Sequence, residues 1–165
     1  VEYTFADGTK FFYFGRTIPK VESKFGLFGH GSKHAFRISS TGHHPARSAI
    51  FKGQEIDDKN TIWTADKSET QPYRQEWMDL VEAVIKNTPY NEAVRGAQAS
   101  LVTAMGRFAA HTGQAVTYDE MLNCPDDLTA GVDALTDSSP PLLLANADGT
   151  YPVPYPGKYK FEYRN

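Results

Sequence analysis

The chain has 165 residues, 40% hydrophobic and 13% aromatic, with a formal net charge of −3 and a pI near 5.9. That length holds one domain with a proper core and is short for two ordinary ones, and the acidic balance excludes the one-faced basic surface of a nucleic-acid binder. Cys124 is the sole cysteine, which excludes an internal disulfide and a thiolate metal cluster within one chain, and no apolar run reaches the roughly 18 residues of a membrane span.

In chain order, "VEYTFADGTKFFYFGR" places Val1, Tyr3 and Phe5 on one side and turns aromatic again after Asp7-Gly8. Asp-Gly favours the type I′ turn of a hairpin, because both central positions there need positive φ. "KFGLFGHGSKH" carries Gly26, Gly29 and Gly31 and reads as a loop. "AFRIS" and "RSAIFKG" read as strands joined by "STGHHPA", and "NTIWTA" as a shorter one. Strands joined by short turns predict an antiparallel sheet.

The period changes after Ser68. Pro72 suits a first helical turn, and Tyr73, Trp77, Leu80, Val81, Val84 and Ile85 recur at helical spacing up to Asn87. After "NTPY", Asn91 is placed to cap a second helix that runs to about His111, with Thr112-Gly113 as its left-handed stop. That helix carries a stripe of small residues, with Gly96 beside it. Small side chains let a neighbour approach closely, so it reads as a packing helix between the first helix and the sheet. Thr117 and Glu120 form a capping box for a third, short helix. "SSPPLLLANADGTYPVPYPGKY" holds five prolines and reads as an extended arm lying on the body of the domain. No internal repeat stands out. The fold class predicted is α+β: an antiparallel-rich open sheet, two main helices packed on one face, and a Pro-rich C-terminal arm, all in a single domain over residues 1–165.

Charge is uneven. Lys20, Lys24, Lys33, Arg37 and Arg47 and four histidines fall in one stretch with one acid, Glu22. A solvated surface explains this; so does a site for a polar ligand. In the second reading His43, His44 and Arg47 project from a strand turn and, with Lys33 and Trp63, hydrogen-bond and stack on a sugar or meet a carboxylate. The same histidines raise a metal site. His30 and His34 at i, i+4 converge only on a helix, however, and Gly29 and Gly31 argue against one there; no metal ligand is assigned. Cys124, before Pro125, reads as a structural thiol. Adjacent acids such as Asp57-Asp58 diverge and do not make a glycosidase pair, and no G-x-S-x-G elbow occurs.

Taken together, "PYRQEWMDLVEAVIKNTPYNEAVRGAQASLVTAMGRFAAHTGQAVTYDEMLN" resembles the C-terminal domain of the Gfo/Idh/MocA oxidoreductases, closest to a planctomycete-type bacterial branch. The resemblance rests on Asn87–Glu92, Met105–Gly113 and Thr117–Asn123 and covers about fifty residues. It implies a parent with an N-terminal Rossmann domain binding NAD or NADP and acting on a sugar, sugar derivative or cyclitol. It also implies that this domain contributes substrate pocket and oligomer contacts. The chain is expected to be a piece of that parent, whose compartment, cytoplasmic or exported, stays open. Gly29-His30-Gly31 lacks the third glycine of a dinucleotide fingerprint. Neither the family's E-K-P lysine nor its D-x-x-x-H histidine is present, so the chain alone is expected to bind no cofactor and to have no catalytic residue. A homo-oligomer is expected through the open sheet face, bearing aromatics from Tyr3–Phe14 and Ile50-Phe51. Two alternatives stay open: a non-catalytic carbohydrate-binding or scaffold module, and a metal-dependent enzyme using the histidines.

Overall fold

The computed structural model describes residues 1–40, 47–66, 71–158 and 160–162. The protein is α+β, with antiparallel sheets, two main helices and a long Pro-rich C-terminal arm. The chain divides into two compact units: Val1–Arg16 with Asn91–Asn165, and Thr17–Tyr90.

The first unit opens with strands β1 (Glu2–Thr4) and β2 (Lys10–Phe12), paired antiparallel as a separate two-stranded sheet. The hairpin forms as expected, but its turn is not type I′. Gly8 alone takes positive φ (85°), while Asp7 does not. Gly8 N–H bonds Phe5 O and Phe5 N–H bonds Thr9 O, both at 2.9 Å, giving a three-residue loop with the left-handed position at Gly8. Asp7 instead accepts the Thr9 N–H at 2.9 Å, which together with the Thr9 side chain holds its carboxyl below the usual aspartate range.

Helix α2, Ala93–Thr112, is the long element of this unit, and α3, Tyr118–Leu122, follows it. Asn91 does cap α2, from one residue further out than a standard cap: its side chain accepts the Ala93 N–H at 2.9 Å, while Glu92 makes no such bond. Gly113 (φ 74°) closes the C-terminus by bonding Ala109 O at 2.9 Å. One small residue of α2, Gly106, has a specific neighbour, while the stripe over residues 93–100 is exposed. Tyr3 lays its ring over Gly106 and donates its hydroxyl to Val102 O at 3.1 Å. Phe11 stacks behind that ring, with centroids 5.8 Å apart. A Cβ at Gly106 would occupy the space of the Tyr3 hydroxyl. The partner that needs a small residue is therefore an aromatic side chain of the hairpin.

The C-terminal arm lies on the end of α2: Gly157 N–H bonds Thr112 O at 2.8 Å, and Thr112 is fully buried. The arm also repeats the first turn of the chain. Ala147-Asp148-Gly149-Thr150 has the sequence of residues 6–9 and the same bonds, with Asn146 in the place of Phe5.

The second unit holds β3 (Leu27–His30), β4 (His34–Ser39), β5 (Ala49–Lys52) and β6 (Thr61–Thr64) as an antiparallel meander in that order. Strand β3 corrects the reading of "KFGLFGHGSKH" as a loop. Gly29 pairs with Phe36, and the Phe36 ring leans across the space a Cβ at Gly29 would fill, so the glycine serves packing inside a strand. Alternation sorts the two faces. Ala35, Ser39, Ala49 and Phe51 (0% exposed) lie on the buried one. Arg37, on the same side, has its guanidinium 5.4 Å from the Phe51 ring centre and bonds Arg47 O (2.9 Å) and Asp58 (3.3 Å). Gly29, Phe36, Ile50 and Trp63 form one cross-strand row on the other face. The expectation that Ile50 and Phe51 share the open face with Tyr3–Phe14 is corrected: neighbours on a strand point to opposite sides, and Tyr3–Phe14 belong to the other sheet.

Helix α1, Pro72–Lys86, also lies in this unit. The Gln71 side chain accepts the Arg74 N–H at 3.1 Å at its start, and Asn87 (φ 50°) ends it in the left-handed region. Its buried residue is Ala83; Trp77 (64%) and Ile85 (79%) of the apolar stripe are exposed. No helix among the described residues is long and apolar enough to cross a membrane.

Two glycines of α2 should respond oppositely to alanine. Gly96→Ala meets nothing within 4 Å and should stabilise by about 1 kcal/mol through helix propensity. Gly106→Ala must displace Tyr3 and should cost about 1–3 kcal/mol. Urea unfolding of both, with and without Tyr3→Ala, checks this: in the Tyr3→Ala background Gly106→Ala should become neutral or stabilising.

Candidate functional site

The residues proposed for a polar ligand do not all meet. Lys33 sits in the β3–β4 turn, closed by Gly31 N–H to His34 O at 2.9 Å. Arg47 lies beyond the other end of β4, just ahead of β5. A six-residue strand spans about 20 Å at about 3.3 Å per residue, so Lys33 and Arg47 do not reach one small ligand. Trp63 lies midway between the two: it pairs with Ile50, which follows Arg47 by three positions, and Ile50 pairs with Phe36, which follows Lys33 by three. Trp63 is 51% exposed on the open face, where Phe36 and Ile38, two strands away, are exposed as well. His43 and His44 lie outside the described residues.

His30 and His34 fall on opposite faces of the hairpin, because His30 pairs with Ala35 while His34, one residue earlier, pairs with Lys52. His30 Nδ1 lies 2.9 Å from Gln54 Oε1, and Gln54 Nε2 donates to Gly31 O at 3.0 Å. The amide oxygen is an acceptor only, so it selects the tautomer with the proton on Nδ1 and leaves Nε2 as the free nitrogen. Among the described residues no three of His, Cys, Asp and Glu converge as metal ligands.

A second candidate lies wholly in the first unit. A cleft of about 210 Å³ opens between the end of α2, the link to α3 and the C-terminal arm, lined by Phe108, Gln114, Val116, Cys124, Lys160 and Phe161 among others. Glu120 stands at its edge but is committed to the capping box. It accepts from Thr117 N (2.8 Å) and Thr117 Oγ1 (2.7 Å), while Thr117 Oγ1 accepts the Glu120 N–H. Those bonds, the backbone one foremost, hold its carboxyl below the ordinary glutamate value, so it is an anchored anion and a poor proton donor. Gln114 Nε2 donates to Lys160 O at 2.8 Å. Beside the cleft Glu162, 6% exposed, receives Arg107 at 2.7 Å and His111 Nδ1 at 3.0 Å on the same oxygen. The pairing of Arg107 and His111 at i, i+4 on a helix was visible in the sequence; their carboxylate partner was not. The cleft is smaller than the roughly 300 Å³ at which ordinary ligand sites begin.

The fold and sites thus define an α+β module with one open apolar sheet face and a small, apolar-walled cleft. No protein-family model, curated protein or solved structure matches the chain.

The capping box has a pH signature. Because folding depresses the Glu120 carboxyl, its stabilising effect is full above the unfolded-state value and is lost as pH falls through the folded one. Carboxyl-carbon NMR titration should place Glu120 below ordinary glutamates, and Thr117→Val should return it to their range while α3 frays.

Proposed function

We propose that the chain is the C-terminal, substrate-side and assembly domain of an NAD(P)-dependent oxidoreductase acting on a sugar, sugar derivative or cyclitol, inactive by itself. The observation that carries the reading is the block from Pro72 to Asn123 with its resemblance to Gfo/Idh/MocA C-terminal domains. Each punctuating residue of that block has a structural task here: Asn87 the left-handed stop of α1, Asn91 the cap of α2, Gly113 its end, and Thr117 with Glu120 the box that starts α3. NAD or NADP belongs to the missing Rossmann domain in this reading, and no cofactor is assigned to these residues. The open row of Phe36, Ile38, Ile50 and Trp63 is the kind of apolar surface that a second subunit covers.

A second reading is favoured by one observation. An indole standing half-exposed on a rigid sheet, as Trp63 does, is also a stacking platform for a sugar ring, as in a non-catalytic carbohydrate-binding module.

Two measurements separate these. The coding region upstream of Val1 should supply about 130–150 residues with a dinucleotide fingerprint, and that longer protein should reduce NAD or NADP with a polyol from a sugar and cyclitol panel. A secretory leader joined directly to Val1 would favour the binding module. Sedimentation of the 165-residue chain should show association that Phe36→Glu or Trp63→Lys abolishes with the circular dichroism unchanged. A strict monomer at high concentration removes the assembly role. Sugar affinity lost in Trp63→Ala with no change of oligomer supports the module.

A further inference from the structure

We propose that the open face of the β3–β6 sheet is covered by helix α1 of a second copy of the chain, each copy giving its helix to the other's sheet. This rests on the assembly role proposed above and names the layer that fills it.

Helix α1 is turned the wrong way for a helix that packs within its own chain. Ala83 is buried and Pro72 and Asp79 are half-buried, whereas Tyr73, Trp77, Val81, Val84 and Ile85 are each more than half exposed. At 3.6 residues per turn those five share an arc of about 120°, and Pro72, Asp79 and Ala83 lie diametrically opposite it. An amphipathic helix ordinarily buries its apolar arc; this one holds it in water. The sheet of the same unit has the matching defect. Phe36, Ile38 and Trp63 stand exposed on the face away from buried Phe51. A sheet with an apolar face is completed by a second layer, and this chain leaves both a sheet face and a helix arc uncovered.

Size, charge and area select a second copy as the occupant. Helix α1 has 15 residues and is about 22 Å long, and β4 with its six residues runs about 20 Å, so the arc matches the length of the face. Lys52 and His34 form a cross-strand pair at one end of the open face, two residues from Ile50 and Phe36 respectively. Glu76 and Glu82 flank the apolar arc of α1 on its two sides. Acidic helix edges thus meet a basic sheet end. The same acids disfavour a lipid surface: Glu76, Asp79 and Glu82 outnumber Arg74 and Lys86, whereas a helix lying on a membrane carries a basic polar side. A standard interface buries about 800 Å² on each partner. Reciprocal exchange brings two apolar surfaces of each copy into one such interface, and a two-fold axis closes it.

The chain has two tryptophans, one on each surface, and they are its reporters. The parent should sediment as a dimer. Trp77→Glu spoils the helix and Trp63→Lys the sheet. Each alone should weaken association on the order of a hundredfold or more, as loss of a hot spot from both contacts does. Circular dichroism should not change, because both side chains are exposed. Mixed in equal amounts, the two variants should dimerise again, since the intact helix of one fits the intact sheet of the other. The remaining Trp63 and Trp77 then meet in that contact, and their emission should shift to the blue. If either variant fails to fold, Val84→Glu or Ile38→Lys, also at exposed positions, takes its place. Trp77→Glu that dimerises as the parent does overturns the proposal and leaves the assembly role standing, because sheet then meets sheet. A mixture that stays monomeric while the parent dimerises overturns it too. A strictly monomeric parent overturns both, and so does a blue shift that needs phosphatidylserine vesicles in place of a second chain.

Discussion

Everything in the first unit is arranged about one close approach. The Tyr3 ring reaches α2 only because residue 106 has no side chain, and its hydroxyl then finds the Val102 carbonyl. That contact fastens the hairpin to the helix, with Phe11 stacked behind it. Further along the same helix, buried Thr112 receives the arm, and Arg107 and His111 receive Glu162. The second half of this helix is thus a surface others lie on, whereas residues 93–100 are exposed throughout.

In the second unit the governing constraint is parity. With a side-chain period of two, Ala35, Ala49 and Phe51 go to the covered face and Phe36, Ile50 and Trp63 to the open one. Arg37 shares the covered face without violating the cost of buried charge. Its guanidinium lies near an aromatic ring, bonds a backbone carbonyl, and meets a carboxylate at the solvent edge. The uncovered face retains large apolar side chains, Phe36, Ile38 and Trp63 among them.

Local chemistry was legible in the sequence where one residue suffices to decide it. Pro72, Asn87, Gly113 and the Thr117–Glu120 box set the ends of all three helices close to where they were expected. Strand β3 was not legible, because a glycine inside a strand looks like a turn until the ring that covers it is known. The type of the Asp7-Gly8 turn was missed for a related reason: the Asp7 side chain bonds the Thr9 N–H and so keeps its own backbone out of the left-handed region. The recurrence of Ala-Asp-Gly-Thr at residues 147–150 is plain in the sequence, but four residues are too few to mark a repeat, and only the bonds identify a second copy of that turn. At the candidate sites, nothing in spacing alone tells that Lys33 and Arg47 flank the same strand at its two ends. Nor does it tell that Glu162 lies against a helical turn 51–55 residues earlier in the chain.

The first unit is assembled from two separate stretches of chain, with the whole meander inserted between them. During synthesis residues 17–90 can condense from neighbouring segments as they emerge, since each strand pairs with the next. The hairpin has to wait: its tyrosine meets a carbonyl 99 positions later, and closing so long a loop is slow as well as entropically costly. The nascent protein therefore spends an interval with one half ordered and an aromatic hairpin still searching for its helix. That interval is when the chain most needs protection from its neighbours.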